Sequence, residues 1–248
     1  MTKKILTMGI LTMVSLASAT DIITDKAKLD EIKSISKVFL NPALEIKAAI
    51  DKDSVYFIKA EGKSPNGSQK IMAFVDKKTG AVYFGNGVDK EGKLLKFPSD
   101  AKVIKDGVSF SYGSGKKEIY LVTDPECPYC KRFEKNAQGK LKDYTVHVIL
   151  FPLSFHKKSP AMVEWIMQGK DDAERADRFK KIMLDGSTEY SSLIKDAKKP
   201  FNYSDDTKEK MERSASAVQE LGARGTPMVF DDSFNGVSQE ELFSTKQK

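Results

Sequence analysis

The chain has 248 residues, 41 Lys and Arg against 35 Asp and Glu, and a formal net charge of +6, of which Lys3 and Lys4 supply two. A mild lysine-rich excess spread along the sequence, with no tight basic run interleaved with aromatics, excludes nucleic acid as the expected partner. The length suits one large domain or two smaller ones, either able to bury a core.

Lys3 and Lys4 open a short basic segment, and Ile5 to Leu16 is an apolar stretch interrupted only by small residues. Ala17-Ser18-Ala19 then supplies small side chains at the positions a signal peptidase reads. This is the three-part pattern of a secretory signal peptide over 1–19, with cleavage expected after Ala19. The apolar run is too brief to cross a bilayer of roughly 30 Å, and no later segment is longer and as apolar. The remaining chain is expected in an exported, oxidising compartment where disulfides persist.

From Leu29 to about Ile50 the apolar residues Leu29, Ile32, Ile35, Leu44 and Ala48 have helical spacing, interrupted at Asn41-Pro42. Three strands follow at Val55-Tyr56-Phe57-Ile58, Ile71-Met72-Ala73-Phe74-Val75 and Ala81-Val82-Tyr83-Phe84. Turn material separates them: Ser64-Pro65-Asn66-Gly67-Ser68, Lys77-Lys78-Thr79-Gly80, then Gly85-Asn86-Gly87. Residues 20–88 thus predict a small helix-plus-antiparallel-sheet unit, without Cys, His or a recognisable catalytic cluster. Such a meander, half buried and with an open edge, either finds a partner surface or stands as a self-contained domain.

The charged stretch 89–107, punctuated by Gly92, Pro98 and Gly107, predicts a linker with one helical piece. Beyond it, 108–248 begins with an alternating strand at Val108 to Tyr112 and a turn at Gly113-Ser114-Gly115. Next come a strand from Glu118 to Thr123, a helix from Lys131 to about Lys140, and a strand from Tyr144 to Phe151. This β-α-β order favours parallel pairing of the two strands. Phe133, Ala137 and Leu141 are spaced for one face of the helix, and Pro128 fits its first turn, where a missing N–H costs nothing. A helical stretch over about 157–222 carries three apolar stripes: Met162, Val163, Trp165 and Ile166; Phe179, Ile182 and Met183; and Met211, Ala215, Val218 and Leu221. These read as core faces, Trp165 included. A short strand, Thr226 to Phe230, precedes a last helix from Ser238, where Ser238 and Glu241 have capping-box spacing.

The only two cysteines lie in Asp124-Pro125-Glu126-Cys127-Pro128-Tyr129-Cys130, directly after the apolar strand Ile119 to Val122. A thiol at the first turn of a helix meets unsatisfied backbone N–H groups and the positive end of the dipole, both of which favour thiolate. Cys127 holds that place, with Lys131 and Arg132 nearby, and Cys130 lies one turn in, more buried. Cys127 is therefore the expected attacking sulfur and Cys130 the resolving one. A structural disulfide is the alternative for exported cysteines, but so short a loop restrains the unfolded chain little. A zinc site would need His147 and His156, whose spacing from the cysteines matches no usual pattern, and no metal is expected. His147 reads as a structural imidazole in an apolar strand, and His156, beside Lys157 and Lys158, as a solvated loop side chain.

The strand followed by Cys-Pro-Tyr-Cys, the helical insertion and Thr226-Pro227 opening a late strand together resemble the periplasmic disulfide isomerases of the DsbC/DsbG type. Thr123 to Lys131 is particularly similar to the DsbG pattern. The resemblance covers most of residues 20–248. It implies an α+β protein: a dimerisation domain over 20–88, a linker, and a thioredoxin-like catalytic domain with a helical insertion. It also implies a cis Pro227 beside Cys127, with Thr226, Pro227, Pro128 and Tyr129 as substrate-contact residues. Further implications are a homodimer, no cofactor, a membrane thiol reductant or oxidant as redox partner, and unfolded or misoxidised exported proteins in the periplasm as substrates. One departure stands out: residues 231–237 leave room for only a short return strand before the last helix. The two-domain layout favours disulfide isomerase or reductase activity. A dithiol oxidase of the same fold and a chaperone-like binder of unfolded polypeptide are the alternatives.

Overall fold

The computed structural model describes residues 22–244 apart from 65, 66, 93, 197 and 198. The expected signal peptide and the centre of the turn at Pro65-Asn66 fall outside the described residues. The fold is α+β, and the chain divides between Phe97 and Pro98 into two compact units.

The first unit is an antiparallel sheet with one helix. Strand β1 (Ile22–Ile23) leads to helix α1 (Lys26–Ser34), whose start is fixed by Asp25 accepting from the Lys28 N–H. After a 3-10 turn at Lys37–Leu40 come β2 (Leu44–Lys52), β3 (Val55–Ser64), β4 (Gly67–Asp76) and β5 (Val82–Phe84), in spatial order β1-β2-β3-β4-β5. The helical spacing extended to Ile50 is thus wrong beyond Asn41: residues 44–52 are a strand. The strand's alternation is broken by a bulge between Ile46 and Ala48, where Lys47 has no register partner on β3. The extra residue puts Ile46 and Ala49 on one face, while Leu44 and Ala48, whose spacing of four suggests a helix, fall on opposite faces. The face of Ile46 and Ala49 packs with Ile58, Ala60 and Val75 against Ile32 and Phe39. The opposite face carries Ala48, Ile50 and Phe57, whose ring stacks on Phe74 and Phe97.

The second unit begins within the stretch read as a linker. Asp100 accepts from the Lys102 and Val103 N–H groups and starts helix α2 (Ala101–Asp106), whose Ile104 is fully buried. Then follow β6 (Phe110–Tyr112), β7 (Lys117–Thr123), α3 (Pro128–Ala137) and β8 (Tyr144–Leu150). Helices α4 (Ser159–Met167), α5 (Asp172–Met183) and α6 (Asp205–Leu221) come next, with a 3-10 turn at Glu189–Leu193. Strands β9 (Met228–Phe230) and β10 (Gly236–Val237) and helix α7 (Gln239–Phe243) end the unit. Ser238 caps α7 by accepting from the Glu241 N–H. The return strand β10 is only two residues long.

The sheet order is β10-β9-β7-β8-β6, with β7 and β8 parallel and the other pairs antiparallel. The apolar run Ile119 to Val122 follows from burial on both faces, as parallel strands require. Ile119 and Leu121 face α3, α4 and α5, while Tyr120 and Val122 face α2 and α6. Helix α6 differs from its expected stripe: its buried residues are Thr207, Ser214, Ala217 and Val218, and Ala215 is exposed. Small residues are needed there because α6 lies close on α2. The Ser214 hydroxyl donates to the Gly107 carbonyl, and a Cβ on Gly107 would sit 2.3 Å from the Ala217 Cβ.

Candidate active site

Strand β7 delivers the chain to Asp124, and a tight turn sends it into α3. The Glu126 N–H donates to Asp124 Oδ1 (2.8 Å) and the Cys127 N–H to the Asp124 carbonyl (3.1 Å). Cys127 is the N-cap of α3, with extended backbone, and its carbonyl accepts from the Lys131 N–H. Pro128 occupies the first helical position, where its ring fits the backbone and no N–H is wanted. Proline and turn together place one sulfur at a helix N-terminus and the other one turn inside.

The two thiols are free and differ in setting. Cys127 keeps 4% of its surface exposed, and its Sγ lies 3.7 Å from the Thr226 carbonyl. Cys130 is fully buried, and burial pushes its thiol up to about 12, although the Asp124 N–H, 3.5 Å from Sγ, pulls the other way. The Thr226–Pro227 peptide is cis, at the entry to β9. Pro128 and Tyr129 are exposed beside Cys127 in sequence, with the Arg132 guanidinium 5.1 Å from the centre of the Tyr129 ring. Thr226 and Pro227 are half-buried.

His156 overturns its reading as a solvated side chain. Its Nδ1 is 2.8 Å from Asp124 Oδ2, and its side chain is only 15% exposed. Asp124, wholly buried, also accepts from the Leu153 N–H (2.7 Å) and the Ser159 hydroxyl (2.7 Å). Glu126 Oε2 takes the Lys158 and Ser159 N–H groups at 2.7 and 2.8 Å, at the start of α4. Sequence alone does not mark Asp124, Glu126, His156 and Ser159 as site residues, because their partners lie some thirty positions away; Asp-Pro-Glu directly before the first cysteine is the available signal. His147 sits on β8, its Nδ1 2.9 Å from the Ser111 hydroxyl, with burial pushing it down.

Beneath the site, on α3, Glu134 is 6% exposed, with Oε1 buried and without a hydrogen-bond partner. Burial pushes its carboxyl up to about 7, against the pull of Lys180 and the Tyr112 hydroxyl. Among the described residues, no group of three or more His, Cys, Asp or Glu is arranged to hold a metal. None of the described helices is long and apolar enough to cross a membrane.

Arranged this way, the site can form and break sulfur–sulfur bonds: one sulfur within reach of solvent at a helix N-terminus, one sealed behind it. A family model described as a thioredoxin-like domain matches residues 111–236, just over half of the chain. No curated protein sequence matches it. Among solved structures, ScsC from Proteus mirabilis in a transitional conformation is 19% identical at a TM-score of 0.41, covering 53% of this chain and 65% of that one. The chain thus spans just under two thirds of that protein. A periplasmic thioredoxin-like protein from Salmonella enterica serovar Typhimurium is 17% identical at a TM-score of 0.46, covering 58% of this chain and 94% of that one. DsbG from Helicobacter pylori is 17% identical at a TM-score of 0.39, covering 82% of this chain and 99% of that one.

Proposed function

This chain belongs to the thioredoxin-like domain family, and from that premise we propose that it is a thiol–disulfide oxidoreductase acting as an isomerase or reductase on exported proteins. One observation carries the reading: Cys127 caps α3 with its sulfur against the Thr226 carbonyl, and Cys130 is buried one turn behind it. The Cys127 thiolate attacks one sulfur of a substrate disulfide, forming a mixed disulfide, and the other substrate sulfur leaves as a thiolate. If that thiolate, or another substrate thiolate, attacks the mixed disulfide, Cys127 is released unchanged and the substrate is isomerised. If Cys130 attacks Cys127 instead, a Cys127–Cys130 disulfide forms and the substrate leaves carrying two electrons. Thr226, Pro227, Pro128 and Tyr129 are the proposed contacts for the substrate segment around its disulfide.

The basic, apolar and small-residue pattern of residues 3–19 supports export to the periplasm. The first unit is proposed as the homodimer contact, since its edge strand β5 exposes Tyr83 and Phe84 and the adjoining loop exposes Val88 and Leu94. A membrane-bound dithiol is the proposed source of electrons for a reductase cycle.

The direction of electron flow is tested in cells. Rapid acid quenching followed by alkylation with a mass-shifting maleimide reads the state of Cys127 and Cys130 directly. The expected result is a pool that is mostly dithiol. A pool that is mostly disulfide, and returns to disulfide after brief reduction, would contradict the isomerase or reductase direction and assign an oxidase.

A further inference from the structure

The turn that carries Cys127 is tied to the segment 153–159 through two carboxylates. Asp124 has no exposed surface, yet its oxygens face four donors at 2.7–2.8 Å: the Glu126 and Leu153 N–H groups, the Ser159 hydroxyl and His156 Nδ1. A buried carboxylate is tolerated only where such donors surround it. Glu126 adds two more ties, to the Lys158 and Ser159 N–H groups. What this network holds is the Asp124 peptide, whose N–H points at Cys130 Sγ from 3.5 Å.

We propose that Asp124, His156 and Ser159 form a positioning clamp for the release step, holding the Asp124 N–H on the sulfur of Cys130 while that sulfur attacks Cys127. The inference rests on the thiol–disulfide reading above. In the release step the bond between Cys127 and the substrate sulfur breaks and a Cys127–Cys130 bond forms. The Cys130 proton ends on the departing substrate thiol; over attack and release together the two cysteines are oxidised by two electrons and the substrate disulfide is reduced by two. The difficulty of the step lies in Cys130: it is buried, and negative charge must develop on its sulfur as it attacks. A backbone N–H fixed on that sulfur stabilises the developing charge without having to reorient, as preorganised donors do elsewhere. The Cys127 sulfur lies against the Thr226 carbonyl, not against His156 or Ser159, and attacks the substrate before the clamp is needed. The clamp therefore acts on the second step rather than the first.

The test is single-turnover mixing of the reduced full chain with oxidised glutathione, quenched in acid and read by intact mass. Formation and decay of the glutathione adduct report the two steps separately. His156→Ala is expected to slow adduct decay about tenfold, the size of effect that loss of one charge-assisted hydrogen bond supplies. Adduct formation should stay within about twofold. Asn places an amide N–H near the position of the imidazole Nδ1, so His156→Asn should recover decay to within about threefold of the parent. Ser159→Ala, which removes a different donor, should slow decay several-fold and keeps the test valid if His156→Ala does not fold. Unchanged decay in the folded His156→Ala and Ser159→Ala proteins would overturn the clamp while leaving the thiol–disulfide reading intact. Decay as slow in His156→Asn as in His156→Ala would also overturn it. Failure of the parent chain to form any adduct would overturn the reading beneath it.

Discussion

Cys127→Ser is expected to lower the rate of insulin disulfide reduction, with dithiothreitol as recycling thiol, by about 10³-fold or more, to the uncatalysed background. Serine oxygen can neither be ionised appreciably at neutral pH nor exchange into a sulfur–sulfur bond. The substitution carries its own folding control. Cys127 is the N-cap of α3 and makes no side-chain capping bond, whereas Ser is among the preferred N-cap residues. The variant should therefore be as stable as the parent or slightly more so, and its loss of activity will not be a loss of fold. Cys130→Ser has a different signature. The attacking sulfur is intact, so mixed disulfides form at near-parent rates, but they persist because nothing inside the protein resolves them. Equal loss of adduct formation in both variants would contradict the assignment of roles.

Glu134→Gln is expected to stabilise the protein by about 2–3 kcal/mol at pH 8 and to change it little at pH 4. The sign follows from the direction of the shift. Burial pushes the folded carboxyl up to about 7 from an ordinary value of 4.5, so the folded state holds this proton more tightly than the unfolded chain does. Below about 4.5 both states carry the proton and Glu134 costs nothing. As pH rises from there through 7, the unfolded state ionises readily while the folded state must place a charge where Oε1 has no partner. The destabilisation grows over that window and is constant above it. Glutamine keeps the shape, can still accept from the Tyr112 hydroxyl, and never ionises. Urea denaturation at the two pH values measures the difference; an equal effect at pH 4 and pH 8 would rule out ionisation as its cause.

Much of this architecture is legible in the sequence where one local cause decides it. The run from Ile119 to Val122 is apolar on both faces because both faces are covered. Pro128 marks the start of α3, and the stripes of α4 and α5 fall where the helices meet the core. Cys127 and Cys130 needed only their spacing and the strand before them. What escaped depends on distance or on a single inserted residue. Lys47 bulges from β2 and breaks the alternation by which residues 44–52 would read as a strand. Helix α6 buries Ser214 and Ala217 rather than Ala215 because its register is set by a close approach to α2, 100 or so positions earlier. The partnership of His156 with Asp124 spans 32 residues. An imidazole beside two lysines reads as solvated until the fold supplies a buried carboxylate.

Cys127 and Cys130 are proposed to work together as one reversible dithiol–disulfide couple. Equilibrating the full chain across a series of reduced and oxidised glutathione ratios, then alkylating and mapping the products by peptide mass spectrometry, tests it most directly. One two-electron transition is expected, in which both thiols disappear together into a Cys127–Cys130 disulfide. Independent loss of the two thiols into separate glutathione adducts, or no disulfide between them at any ratio, would contradict it.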